Sequence, residues 1–220
     1  MKTSVAACIM LASLAMASSG GVALLTLDEL KAEGFEIVDL EFRGVITPGG
    51  PEVNLSGTAE SIYKQVLDLN PEYDPWQFPE HVQYMESFGI TKDTPAEEAD
   101  ALFMGHSLEA RQGNFDCGWG SRVGNFPNQC YEGLRYLQGL GTRWCGAARG
   151  ACARVSCSHN CGMYLCNTHS GHIDVHCGDI QKDITSISDN CGRSLGGRVW
   201  MANGRRIFGS HYTGLTQEGC

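Results

Sequence analysis

Ten of the eleven cysteines fall between Cys117 and Cys220, and the other, Cys8, sits inside an apolar leader. An even number of thiols at this density describes an oxidised scaffold, because a reducing cytosol would keep them free. The reading is therefore that Cys117, Cys130, Cys145, Cys152, Cys157, Cys161, Cys166, Cys177, Cys191 and Cys220 form five bridges. Ten cysteines allow about 945 pairings, and their spacing leaves the partners of Cys157 and Cys161 open.

The leader agrees with an oxidising compartment. Met1-Lys2 gives a positive start, Val5 to Ala15 an apolar stretch, and Ala15-Met16-Ala17 a small-x-small cleavage site, so residues 1–17 read as a signal peptide cut at Ala17. No later stretch approaches the roughly twenty apolar residues of a membrane-spanning helix, and no transmembrane segment is expected.

Charge divides the chain where cysteine does. Residues 18–111 hold five Lys and Arg against eighteen Asp and Glu, a net of −13, whereas residues 112–220 hold ten against seven, a net of +3. An acidic, cysteine-free block joined to a mildly basic, disulfide-rich one reads as a pro-segment (18–111) on a mature domain (112–220). The junction Leu108-Glu109-Ala110-Arg111-Gln112 offers Arg111 to a processing protease of the secretory pathway. An ordinary two-domain chain with a linker is the alternative.

Within the acidic block, Thr26-x-x-Glu29 is a capping box and Phe35 to Ile46 alternates as a strand before the turn Thr47-Pro48-Gly49-Gly50-Pro51. Thr58 caps a second helix with Ile62, Val66 and Leu69 on one face, which Asn70-Pro71 stops. Asn54-Leu55-Ser56 is a glycosylation acceptor. From Glu72 to Glu109, prolines interrupt the pattern and an extended tether is expected.

In the cysteine-rich block, Cys130, Leu134 and Leu137 mark a helix ended by Gly139 and Gly141. Cys177, Ile180, Ile184, Ile187 and Cys191 mark another. Residues 152–166 read as extended. Asn203-Gly204 predicts a type I′ hairpin between Arg198–Met201 and Arg205–Phe208. The fold class is then α+β, a small disulfide-rich antiparallel sheet with two helices on one face, preceded by the cysteine-free pro-segment.

Two chemistries are within reach of these residue types. Cys157-x-His159-x-Cys161 followed by Cys166, His169, His172, His176 and Cys177 contains zinc-ligand types, and His172-x-Asp174-x-His176 on a strand would share one face. Bridged cysteines release no thiolate, however, so no metal and no cofactor is assigned. The same histidines with Glu132 and an arginine offer general acid and base groups for a secreted nuclease. No nucleophile elbow, phosphate loop or His-Glu-x-x-His accompanies them, and no catalytic residue is assigned. Residues 112–220 carry nine arginines against Lys182 alone, a bias suited to anionic surfaces, but a net of +3 is too weak for nucleic-acid binding.

Asp39 to Pro71 (DLEFRGVITPGGPEVNLSGTAESIYKQVLDLNP), LEAR at 108–111, CYEGLRYLQGLGTRWC at 130–145 and ACARVSCSHNCGMYLCN at 151–167 together resemble a group of small cysteine-rich secreted proteins of filamentous ascomycete fungi. Members look like pre-pro-proteins whose C-terminal domain is effector-like or killer-toxin-like. The resemblance implies a secreted interaction protein acting on a host or competing microbe by binding. A secreted hydrolase such as a nuclease, or a toxin acting on membranes or channels, is the alternative.

Overall fold

The computed structural model describes residues 27–105, 114–195 and 198–220. The expected leader with its cleavage site at Ala17, Cys8 and the expected Arg111 junction lie outside the described residues. In chain order the elements are helix α1 (Leu27–Ala32), strands β1 (Glu36–Val45) and β2 (Glu52–Gly57), and helices α2 (Ala59–Leu69), α3 (Pro79–Glu86) and α4 (Ala96–Gly105). Strands β3 (Asn114–Asp116) and β4 (Val123–Gly124), helix α5 (Tyr131–Leu140), and strands β5 (Trp144–Ala147), β6 (Ala151–Ser158), β7 (Cys161–Asn167) and β8 (Ile173–His176) follow. Helix α6 (Cys177–Cys191) then leads to strands β9 (Arg193–Leu195), β10 (Arg198–Ala202), β11 (Gly204–Ile207) and β12 (His211–Gln217).

The fold is α+β, as the sequence predicts, with one large sheet ordered β3-β11-β12-β7-β6-β1-β5-β8, β2 added to β1, and a small sheet β4-β10-β9. It departs from the expected antiparallel sheet at one place. β1 runs parallel to β6, from Glu36 opposite Ala151 to Asp39 opposite Arg154, while its later residues pair antiparallel with β5 and β2. Residues 36–45 therefore do not precede the cysteine-rich sheet as a separate block; they are one of its strands.

Alternation explains why β1 can take this interior place. Leu40 and Phe42 point to one face and are buried, while Glu41 and Arg43 point to the other. On the buried face Leu40 and Phe42 join Val155, Leu165 and Leu215 from the sheet in a single core with helix residues Ile62, Val66, Leu134, Leu137, Ile180, Ile184 and Ile187. Three helices thus contribute to this core. α5 and α6 are the expected pair, and α2, from the acidic block, packs against α5. At one end of the opposite face, Leu30, Cys152, Tyr164, Cys166 and Tyr212 form a second cluster.

Local signals set most boundaries. The Thr58 hydroxyl caps α2 by accepting from the Ser61 N–H at 3.3 Å, and α2 gives way at Asn70, whose N–H returns to the Val66 carbonyl. Gly141 ends α5 with φ at +59°. The tether expected over 72–109 is instead structured in its described part: a 3₁₀ turn at Pro75–Gln77, then α3 and α4. Asp74 caps the 3₁₀ turn, and Pro75 and Pro79 occupy first-turn positions where the missing N–H costs no bond.

The expected hairpin at Asn203-Gly204 does not form. β10 pairs with β4 and β9, whereas β11 pairs with β12 and β3, so the chain changes sheets there. The Asn203 amide is used for tertiary bonding, donating to the carbonyls of Cys117, Trp119 and Gly120. The tight hairpin lies at β6–β7, where Ser158 pairs with Cys161 and both His159 and Asn160 have positive φ.

All ten predicted cysteines are bridged: Cys117–Cys191, Cys130–Cys161, Cys145–Cys177, Cys152–Cys166 and Cys157–Cys220. Cys130 ties the start of α5 to β7, and Cys177 ties the start of α6 to β5, all four sulfur-bearing residues being buried. Among the described residues no helix is long and apolar enough to cross a membrane.

Candidate functional site

Oxidation removes the cysteines from the suspected ligand set, and the histidines are scattered. Among the described residues no group of three or more His, Cys, Asp or Glu is arranged to hold a metal ion. His159, at the β6–β7 turn, lies 3.8 Å from Glu132, with both side chains more than half exposed. The nuclease reading set Glu132 with these histidines as a group, and this contact stands on an open turn. His169 accepts from the Gly171 N–H at 3.2 Å and shapes a loop. His211 stacks on Phe208, and burial pushes its pKa down.

The third group is different. His172, Asp174 and His176 share the outward face of the β8 segment, with Ile173 and Val175 turned into the core. Strand register brings other polar side chains beside them. Arg43 lies opposite Asn54 on β2 and Trp144 on β5, and Trp144 lies opposite His176.

The resulting contacts are specific. His172 Nε2 is 2.9 Å from Glu41 Oε2, and its Nδ1 is 3.8 Å from Asp174 Oδ1. The Arg43 guanidinium donates to Asp174 at 3.1 Å and lies 3.7 Å from Glu52. Glu41, Arg43, His172 and Asp174, with Ser56 and Asn54, border a cleft of about 360 Å³. Asn54, where the sequence predicts a glycosylation acceptor, is exposed on β2 at the rim of that cleft. Arg43 is shared between Asp174 and Glu52, and Glu41 meets His172, so carboxylates outnumber the arginine around this cleft. Partly exposed pairs of this kind contribute about 0 to 1 kcal/mol.

A larger groove of about 760 Å³ opens where the ends of β1, β5 and β8 meet α3. Trp144 and His176 stand at its mouth with ring centroids 4.5 Å apart, and 37% of Trp144 is exposed. Phe78, Tyr84 and Arg143 also line it. Burial holds the Tyr84 hydroxyl far above its usual range, so it stays protonated.

Of this face, the sequence argument singled out His172, Asp174 and His176 for a shared surface. It missed Glu41, Arg43 and Trp144. The signal for the first two was present, since they alternate with Leu40 and Phe42 and must face away from the core. Their nearness to residues 131 positions away depends on strand order, which no local pattern encodes.

No family model, no curated protein and no solved structure matches this chain.

Proposed function

We propose that the chain is a secreted, disulfide-clamped interaction protein that engages a host or competitor target through the open face of β1, β5 and β8. The observation that carries this reading is the exposed Trp144 lining the 760 Å³ groove. An exposed indole on a rigid sheet is an effective anchor, because few rotamers must be frozen when it is covered. Five bridges hold the surrounding strands and helices, which favours function in an oxidising fluid outside the producing cell. Export by a leader cut near Ala17 and origin in a filamentous fungus complete the reading.

A second reading, a secreted hydrolase, draws on the 2.9 Å contact of His172 with Glu41 beside Arg43. A carboxylate, an imidazole and a guanidinium are the parts of a phosphodiester-cleaving site. Against it, Arg43 is engaged by Asp174 and Glu52, leaving it less available to a phosphate.

Purified protein applied to plant tissue or competing microbial cells separates the two. Trp144→Ala should raise the dose needed for cell death or growth arrest about tenfold or more, whereas His172→Ala and Glu41→Gln should leave it nearly unchanged. If either of the last two remains folded but inactive, and the parent cleaves RNA or a glycan, the hydrolase reading replaces the binding one.

A further inference from the structure

Arg143 is only 6% exposed, yet no carboxylate of the described residues pairs with it. Its Nε donates to the Val45 carbonyl at 3.2 Å, and its guanidinium lies 3.8 Å from the centre of the Phe78 ring and 5.7 Å from that of Tyr73. Its Nη2 has no hydrogen-bond partner. A buried guanidinium without a counter-ion is a costly arrangement, and two aromatic faces offset it only in part. Burial accordingly works against its charged form, with Tyr73 and Glu80 pulling the other way.

The arginine is also built into its place. A Cβ at Gly44 would lie 2.3 Å from Arg143 Cγ, so only glycine on β1 admits the stem. The backbone on either side is pinned, the Arg143 N–H bonding to Leu140 and its carbonyl accepting from Cys177 at the start of α6. Nε and the ring of Phe78 then fix the guanidinium plane. The residue lines the groove that Trp144 and His176 flank.

We infer that this groove binds an oxyanion, a carboxylate or phosphate carried on a ring-bearing ligand, with Arg143 as partner of the anion and Trp144 as platform for the ring. The inference rests on the binding reading above and narrows it to a chemistry. Glu52 and Glu80 also line the groove, so attraction of an anion depends on Arg143 itself. An arriving oxyanion accepts from a donor that is already oriented and desolvated, which is where a charged hydrogen bond is strongest. The gain is largest for a ligand that also covers the indole, since each contact alone is weak.

The test uses the full chain and small probes of matched shape: benzoate, phenyl phosphate and the neutral benzamide. The Trp144 indole N–H resonance, assigned by its loss in Trp144→Phe, reports occupancy. Benzoate or phenyl phosphate should shift it with at least about tenfold higher affinity than benzamide, the factor expected of one charge-assisted hydrogen bond; which of the two binds more tightly tells carboxylate from phosphate. Arg143→Met keeps the stem against Gly44 and Phe78 and should erase that preference while the thermal midpoint holds or rises. If Arg143→Met fails to fold, the three probes on the parent protein still decide. Equal binding of benzamide and the anions, or undiminished anion preference in Arg143→Met, overturns the inference. So does the absence of any shift. In each such case the binding reading is judged separately, by whether Trp144→Ala loses activity on cells.

Discussion

His81 shows how a single buried residue couples this fold to pH. It is 2% exposed, its Nδ1 has no hydrogen-bond partner, and a Cβ at Gly141 would stand 2.3 Å from that atom. Burial and then the nearby Arg143 push its pKa down to about 4, against a smaller upward pull from Asp74. The folded pKa lies below the unfolded value of about 6.5, so the unfolded chain binds the extra proton as acid is added. The stability contribution of neutral His81 is complete above about pH 6.5 and is lost as pH falls toward 4, by about 3 kcal/mol in all. Asp183 has the opposite sign, because burial raises its carboxyl to about 7 despite Arg206 at 2.9 Å and the Thr213 hydroxyl at 3.0 Å. Comparing parent and His81→Leu isolates the histidine. Urea unfolding at several pH values from 4 to 8 should show the parent losing about 3 kcal/mol more than the variant over the acid limb. Parallel pH profiles would remove His81 from the account.

At the scale of elements, the bridges allow loop entropy and burial to be weighed against each other. Cys117–Cys191 spans 74 residues and Cys130–Cys161 spans 31. Chain entropy alone favours the longer loop by under about 1 kcal/mol. Cys130 and Cys161 are fully buried where α5 meets β7, whereas Cys117 is exposed. Removing two buried sulfurs leaves voids that cost on the order of 1 kcal/mol each. The Cys130→Ala/Cys161→Ala double variant should therefore be the less stable of the two double variants, at about 2 to 5 kcal/mol below the parent. A larger loss in Cys117→Ala/Cys191→Ala would mean that loop entropy governs. The same elements show what the sequence disclosed. β1, α2, α5 and α6 were legible because apolar spacing, caps and terminating glycines agree at each. The helices after Glu72 were not, because their prolines occupy first-turn positions that resemble interruptions. The hairpin at Asn203-Gly204 was misread because tertiary carbonyls compete for the Asn203 amide. The turn at His159-Asn160 was missed because the residues that supply positive φ there include no glycine. Of the candidate groove, Arg143 and Trp144 are adjacent in sequence, but Phe78 and Gly44 reach them only through packing.

At the scale of the whole molecule, the acidic and cysteine-rich blocks are separate in charge and continuous in structure. β1 lies between β5 and β6, and Leu40, Phe42, Ile62 and Val66 share one core with α5 and α6. No disulfide joins residues 27–105 to residues 114–220. Ion pairs do cross between them, including Arg205 with Glu33 at 3.3 Å and Arg43 with Asp174 at 3.1 Å. They are partly exposed and contribute little each, whereas burying a Leu, Phe, Ile or Val side chain contributes about 1.5 to 3 kcal/mol. Apolar burial and strand pairing therefore dominate the association, and salt should barely affect it. The expected outcome of cutting within 106–113, through a site-specific protease sequence placed there, follows from this balance. The two pieces should co-elute at the parent size in low and high salt and keep the parent mass in native mass spectrometry. They should separate only in denaturant, even without reductant, since no bridge connects them. Residues 112–220 produced alone should expose the β6 edge and the core surface that Leu40, Phe42, Ile62 and Val66 cover, bind a hydrophobic dye and aggregate. Pieces that part on cutting in plain buffer, leaving a monomeric 112–220 with parent-like near-ultraviolet circular dichroism, would overturn this account and make the acidic block a dispensable pro-segment.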